Sequence, residues 1–541
     1  MIKKVSQLIA DILLRPFRQH FLFFIVLCLL ITAAHSMGYF VVKNEMNLNG
    51  AIATMMHCVS FSYLATLLVG LAKPTAVKKI LQVILLIFAA VDFIGNFYCS
   101  FYLHNLFDDD VALLIMETDP KEAKEFLTSM VPLWMILTLT GVFLFLLLFW
   151  QIIKRYNLKL NLGKKAALIA MGITCICLAG NMYRWGIWRY GPIAPFVEFS
   201  QHENPSDLRD YFSHPRLTFD DDCELPADVV LIIGESFGSS HSSIYGYDKL
   251  TNPQLARLKE NSLLFSFDSI YSPAPSTVYS LRHMLTTYSI SDEDKDKKWY
   301  EYISLIEIMK ESGYKTCWFG NQGRIGKHNG STRVYAQACD HQWFLKKDNV
   351  EDQFDEVLVD SSYQYISQLN SKDHNFIIYH MKGSHFDYSK RYPSEFSRFT
   401  ASDYPGDPQT HREVLASYDN SILYNDHVVN SIIDLFKDKE SIVIYLSDHG
   451  QVMYRNSKDP DYYAHGRKID PVDYALGTEI PFFIYASPLF QQKYPQVMER
   501  IKLRQENPKT WNSDDLLYLI MDLIGIKQMN GEEVRPRSIV G

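Results

Sequence analysis

Long apolar runs are missing from everything beyond about residue 182 of this 541-residue chain. An excess of basic residues is missing as well, since the net charge is −8. That balance excludes a nucleic-acid partner, which needs a basic face to meet phosphate. No secretory leader with a small-residue cleavage site is found. The first apolar run continues too far for one, so it is expected to stay as an anchor. No internal repeat and no low-complexity segment occurs. Cysteine is scarce in the polar part, which holds only Cys223, Cys317 and Cys339. An odd count allows one disulfide and leaves one thiol over. Cys317 with Cys339 is the simpler pairing, and the sequence does not settle it.

What is present begins with five apolar spans, roughly 20–42, 51–72, 80–103, 131–153 and 165–181. Each approaches the twenty or so residues a helix needs to cross hydrocarbon. The segment NMYRWGIWRY after the fifth supplies interfacial aromatic and arginine anchors. Lys3, Lys4, Arg15 and Arg18 precede the first span, and Lys73, Lys78 and Lys79 lie between the second and third. Lys154, Arg155, Lys159, Lys164 and Lys165 come after the fourth. The other two loops are acidic or mixed. The positive-inside rule then places the amino terminus in the cytoplasm and everything after about residue 182 outside. The expected organisation is a transmembrane domain over 1–182, a linker over 183–225 and an outer domain over 226–541.

In the outer part, strand-like runs alternate with helical patterns. The strands are VVLIIG (229–234), KTCWFG (315–320), NFIIYHM (375–381), SIVIYLS (441–447) and EIPFFIYAS (479–487). Helical stretches such as NPQLARLKENS, EYISLIEIMKESG and YNDHVVNSIIDLFKDK lie between them. Short buried strands alternating with helices predict an α/β domain, a mostly parallel sheet sandwiched by helices.

In such sheets reactive groups gather beyond the carboxyl ends of the strands. Glu235 comes directly after VVLIIG, and Asp448 and His449 directly after SIVIYLS. His385 stands past NFIIYHM, and His465 lies in YYAHGRK between two strands. A carboxylate ending a buried strand is costly unless a cation or hydrogen bonds compensate. Carboxylate and imidazole without cysteine suit zinc, with manganese the alternative. Such a metal activates an oxygen. In SPAPSTVYSLRHMLTT two prolines block a helix, and then Ser276 or Thr277 opens one, where negative charge is favoured.

With IIGES, STVYS, KGSH and LSDHG in this order behind five spans, the chain resembles the membrane-anchored phosphoethanolamine transferases of Gram-negative bacteria. That group modifies lipid A or lipopolysaccharide core, includes polymyxin-resistance enzymes, and falls in the alkaline phosphatase/sulfatase superfamily. The resemblance covers essentially the whole chain. It implies Glu235, Thr277, Asp448 and His449 as ligands of one Zn2+, with Thr277 also the nucleophile. It further implies His385 and His465 as catalytic histidines that handle substrate phosphate or a second metal. Lys327 in NQGRIGKHN falls near a lysine contacting the donor headgroup, and Thr118 and Glu122 in METDPKEA match positions for ethanolamine recognition. The implied donor is phosphatidylethanolamine, a membrane lipid, and the acceptor is lipopolysaccharide or another periplasmic glycan. The implied location is the inner membrane, multi-pass, with a periplasmic catalytic domain on a monomer. There are departures. Pro273 and His283 stand where lipid A-modifying relatives often carry a cysteine pair, and Leu114 replaces an Asn. These shift the expected acceptor toward core sugars or other glycans. The rival readings are a phosphoglycerol transferase using phosphatidylglycerol, a sulfatase or phosphodiesterase, and a silent scaffold. STVYSLR lacks the proline of a modifiable sulfatase motif, an ammonium suits the acidic loop better than glycerol does, and a scaffold predicts missing ligands.

Overall fold

The structure is a computed structural model. It describes residues 2–41, 48–107, 111, 115, 123–124, 127, 131–155, 161–184, 205–221, 223–291, 297–322, 331–344, 353–370, 373–464, 466 and 470–541. Thr118, Glu122, Lys327 and His465 lie outside the described residues. The chain divides into two compact units, one of residues 1–116 and 130–203, the other of 117–129 and 204–541.

In the first unit, four helical stretches among the described residues are long and apolar enough to cross a membrane. They are Phe21–Gly38, Ala51–Leu71, Thr75–Leu103 and Lys164–Tyr183. A fifth helix, Leu133–Arg155, has a shorter described apolar stretch, Leu133–Leu144. Large side chains such as Leu29, Ile87 and Leu137 are exposed on these helices. In water that would carry a heavy hydrophobic cost; lipid tails remove it.

The second unit is organised by a seven-stranded sheet among the described residues. Its strands in chain order are β1 (Asp228–Gly234), β2 (Leu264–Phe267), β3 (Lys315–Gly320), β4 (His341–Phe344), β5 (Asn375–His380), β6 (Ser441–Ser447) and β7 (Phe482–Ala486). The spatial order is β2-β7-β6-β1-β5-β3-β4. Pairings β6–β1, β1–β5, β5–β3 and β3–β4 are parallel, whereas β7 runs antiparallel to both β6 and β2. The sheet is therefore mixed. Its central strand β1 is buried along its whole length, which is why DVVLIIG is a continuous apolar run with no polar alternation after Asp228. That single acid is satisfied by Asn375 Nδ2, which donates to Asp228 Oδ1 at 2.8 Å.

Register fixes the rest. Ile233 faces His380, Gly234 faces Ser447, and Gly320 faces His380. Strands β1, β3, β5 and β6 therefore end level with one another, and the residues after each are delivered to one edge.

Two differences from the sequence reading have plain causes. Leu217–Phe219, within the expected linker, pairs antiparallel with Ile526–Met529, a contact between opposite ends of the polar part that no local pattern announces. The Cys317–Cys339 disulfide does not form, and Cys223, Cys317 and Cys339 are all free. Cys317 is buried in β3, and the Cys339 thiol is engaged with the Tyr335 carbonyl at 3.6 Å, in its own helical turn.

Candidate metal centre

Glu235 is the first residue past β1. Its Oε1 accepts from the Ser236 hydroxyl at 2.6 Å and lies 3.2 Å from His449 Nε2. Its Oε2 accepts from Thr277 Oγ1 at 3.1 Å and from Gln322 Nε2 at 2.7 Å. Asp448 and His449 stand just past β6. Asp448 Oδ1 accepts the backbone N–H of Ser236 (3.1 Å) and of His449 (2.7 Å), and Oδ2 lies 3.7 Å from His449 Nε2. One ligand atom from each of Glu235, Asp448 and His449 falls within 4.8 Å of the others, and all three residues are buried.

The backbone that builds this arrangement is tight. Ser236 sits at φ +55°, and Gly383, in the KGSH turn after β5, at +50°. A Cβ on Gly383 would come 2.8 Å from both the backbone N and O of Glu235. Only glycine combines that conformation with that approach. The turn is pinned from beneath by Asp355, which accepts the N–H of Lys382 at 2.8 Å and of Gly383 at 2.7 Å. Ser384 N then donates to Glu235 O at 3.0 Å.

Thr277 and Ser276 now separate. Thr277 opens the helix Thr277–Met284 and turns its hydroxyl to Glu235. The Ser276 hydroxyl is buried with no hydrogen-bond partner among the described residues. His283, at the far end of that helix, stacks on Tyr288 with centroids 4.4 Å apart, and the Pro273 carbonyl accepts from the Tyr474 hydroxyl at 3.2 Å. These contacts stand where the resemblance places a cysteine pair.

Charge is crowded here. Burial pushes Asp448 up, Glu235's charge adds to it, and its carboxyl reaches about 7. For Glu235 burial also pushes upward, but the His449 hydrogen bond and charge, with His385's charge, hold it well below the usual carboxylate range. Burial opposes ionisation of His449, yet the charge of Asp448 and its contact with Glu235 raise it to about 9. Two buried carboxylates this close require a positive neighbour. A divalent cation fits the donor set. His449 Nδ1 is 2.9 Å from the Gly450 carbonyl, which fixes a proton on Nδ1, so that a bound cation would take the place of the Nε2 proton on the side of the carboxylates.

His385 is half-buried in the same turn, near enough for its charge to act on Glu235. Three contributors escaped the sequence reading. Gln322, two residues past β3, grips Glu235 Oε2 and also donates to the Met381 carbonyl at 3.0 Å. Its place beyond a strand end was a usable signal. Asp355 sits in a distant segment with no motif. His380 ends β5 fully buried, and burial pushes it down to about 4 against the pull of Glu235.

Comparison with known proteins places this geometry. The sulfatase family model matches residues 227–526, more than half of the chain, and the model for phosphoethanolamine transferase EptA/EptB matches residues 61–184. Phosphoethanolamine transferase EptC of Escherichia coli K12 is 27% identical over 484 residues, covering 84% of this chain and 81% of the relative. The zinc complex of the C-terminal periplasmic domain of EptC from Escherichia coli superposes with a TM-score of 0.53 at 27% identity. It covers 60% of this chain and 90% of that one. The integral membrane protein lipooligosaccharide phosphoethanolamine transferase A from Neisseria meningitidis shares the fold over 96% of this chain and 97% of its own, with a TM-score of 0.65 at 16% identity. The chain belongs to the sulfatase family, and its amino-terminal part is similar to phosphoethanolamine transferase EptA/EptB.

Proposed function

We propose that this protein transfers phosphoethanolamine from phosphatidylethanolamine to a lipopolysaccharide or other periplasmic glycan through a covalent phosphothreonine at Thr277. The observation that carries the reading is the Thr277 hydroxyl, 3.1 Å from Glu235 within a buried cluster that also holds His449 and Asp448.

Glu235, Asp448, His449 and the Thr277 oxygen would hold one Zn2+, with Mn2+ the lesser alternative. When bound, the ion supplies Lewis-acid charge that lowers the pKa of a neighbouring hydroxyl and neutralises phosphoryl oxygens. The protein's own residues do the remainder. Glu235 Oε2 accepts the Thr277 hydroxyl hydrogen and so aims the oxygen lone pairs, and Gln322 keeps that carboxylate from rotating. Thr277 Oγ1 attacks phosphorus, the P–O bond to the glycerol breaks, and diacylglycerol leaves with a proton. The amino end of the helix Thr277–Met284 favours the negative charge that develops. An acceptor hydroxyl or phosphate oxygen then attacks the same phosphorus on the side opposite Thr277, the P–Oγ1 bond breaks, and a proton, the acceptor's own where it is a hydroxyl, restores the Thr277 hydroxyl. His385 and His465 serve proton transfer and phosphate binding, or a second ion. Thr118, Glu122 and Lys327 recognise the headgroup.

Five crossings, the fourth in chain order supplied by Leu133–Arg155, with a cytoplasmic amino terminus put residues 226–541 in the periplasm, joined by a linker over 183–225 to a membrane domain over 1–182. The enzyme acts as a monomer of the inner membrane, at the surface that supplies its lipid. Intact-protein and peptide mass spectrometry after incubation with phosphatidylethanolamine tests this. A phosphoethanolamine mass on the Thr277 peptide is expected, and its persistence in Thr277→Ala would overturn the assignment.

A further inference from the structure

At the same edge of the sheet lies a cleft of about 780 Å3 that no step above uses. Two chain segments leaving the centre run into it: Ser239–His241, shortly after Glu235, and Met453–Arg455, shortly after His449. Phe267 at the end of β2 and Ile480 just ahead of β7 close its far side. Strands stand about 4.8 Å apart and β2 is three spacings from β1, so the cleft lies about 10–15 Å from Glu235 along the edge.

Its walls are prearranged. Fully buried Asp419 accepts from the hydroxyls of Tyr247 at 2.7 Å and Tyr404 at 2.5 Å, and lies 2.7 Å from His241 Nδ1. The ring of Tyr454 stacks on His411, centroids 3.9 Å apart and planes 3° from parallel. Met453 and Tyr454 are consecutive non-glycine residues at positive φ, +47° and +63°, so the loop spends strain to present that ring.

The lining decides the ligand class. Asp248, Asp268, Asp407 and Glu479 face Lys249 and Arg455, an acidic excess that repels phosphate. An acyl chain would leave those groups dehydrated without partners. The Tyr404 face already carries the Lys249 ammonium, 4.6 Å from its centroid, which takes the place a cationic ligand would use. An uncharged, hydroxyl-rich ligand satisfies all three constraints, donating to carboxylates and laying C–H faces on tyrosines.

We propose that this cleft binds an uncharged sugar segment of the glycan acceptor and so presents the neighbouring sugar to Thr277. This rests on the transferase reading. The test uses the full-length protein in detergent, with three measurements on wild type and on Asp268→Asn/Glu479→Gln. The first is phosphoethanolamine adduct formed from phosphatidylethanolamine. The second is KM for lipopolysaccharide with a complete core and with a core lacking its outer sugars. The third is calorimetric binding of core oligosaccharide before and after removal of its phosphates. The double variant should form adduct normally, raise KM for the complete core about tenfold, leave KM for the truncated core alone, and lose affinity for the dephosphorylated oligosaccharide. Equal KM in both proteins, the same loss with both cores, or binding that needs the phosphates would overturn the cleft assignment. Absence of adduct in wild type would instead overturn the transferase reading. Asp268 is exposed, so Asp268→Lys provides a second variant should the double one melt early, with the same outcomes expected.

Discussion

Each unit buries a carboxylate against a histidine. In the first, Asp92 on the helix Thr75–Tyr98 has Oδ2 3.4 Å from His35 Nε2, and its Oδ1 accepts from Asn96 Nδ2 at 3.1 Å. In the second, Glu235 has His449 at 3.2 Å, but Asp448 presses on the same imidazole from 3.7 Å and the Thr277 hydroxyl points in from the side. Around Asp92 each oxygen has its own neighbour, and Oδ2 meets His35 Nε2 of another helix at close range without a hydrogen bond between them, a polar contact between helices of the kind found inside a bilayer. Around Glu235 two carboxylates share one imidazole. An arrangement that repels itself persists only where something positive is meant to sit in it. Burial and pairing look alike in the two places; the ratio of acids to cations separates fastening from chemistry.

The sharpest way to break this contrast is at the hydroxyl. Thr277→Ala should abolish the adduct and lower diacylglycerol release by about 10³-fold or more, with the melting temperature nearly unchanged. A comparable loss on replacing Asp92 would erase the distinction. Chelation comes next. Exhaustive removal of metal should lower the stability of the second unit by about 4 kcal/mol if the ion is held at a thousand times its Kd. Zinc should restore both melting and turnover, whereas the spectroscopic signature of the helical unit should not move. Calorimetry before and after dialysis against chelator reads it, and undiminished activity in the stripped protein would sink the metal centre. Gly383→Ala ranks third. Left-handed backbone costs about 1–3 kcal/mol for a residue with a Cβ, and here the Cβ also collides with Glu235. Lower stability and weaker zinc affinity should appear together in that variant. Lost stability at full zinc affinity would show that the turn does not place the ligand.

The same contrast explains which features a sequence can display. Strands β1, β3, β5, β6 and β7 announce themselves as apolar runs, and the polar residues just past three of them stand out as Glu235, His385 and Asp448-His449. Register does the remaining assembly, and register is a relation between strands that one sequence does not print. The strands β2 and β4 were missed because LFSF and HQWF are four residues long and mixed in polarity. Gln322 was within reach, since it stands past a strand end like the others. Asp355 was not, because a carboxylate that receives two amides of a remote turn has no local mark. The long helix Gln409–Asp434 begins well before the pattern YNDHVVNSIIDLFKDK. Its first half carries Tyr418 and Asp419, whose buried polar groups break the apolar period while serving the loops of the centre and cleft.

The smallest expected effect tests the other half of the comparison. Asp92→Asn keeps the shape and an acceptor oxygen, and interhelical polar contacts in a bilayer are worth about 0.6 kcal/mol on average. The variant should therefore unfold in detergent at slightly lower denaturant, with about 1 kcal/mol lost at most. His35→Ala should cost the same, and the double variant no more than either, because the two removals delete one contact. Adduct formation at Thr277 should stay at wild-type rate in all three. If the double variant costs the sum of the singles, Asp92 and His35 act apart and the fastening is not a pair. If any of the three loses adduct while its melting curve is unchanged, then Asp92 belongs to the chemistry, and crowding of acids is not what tells a site from a clasp.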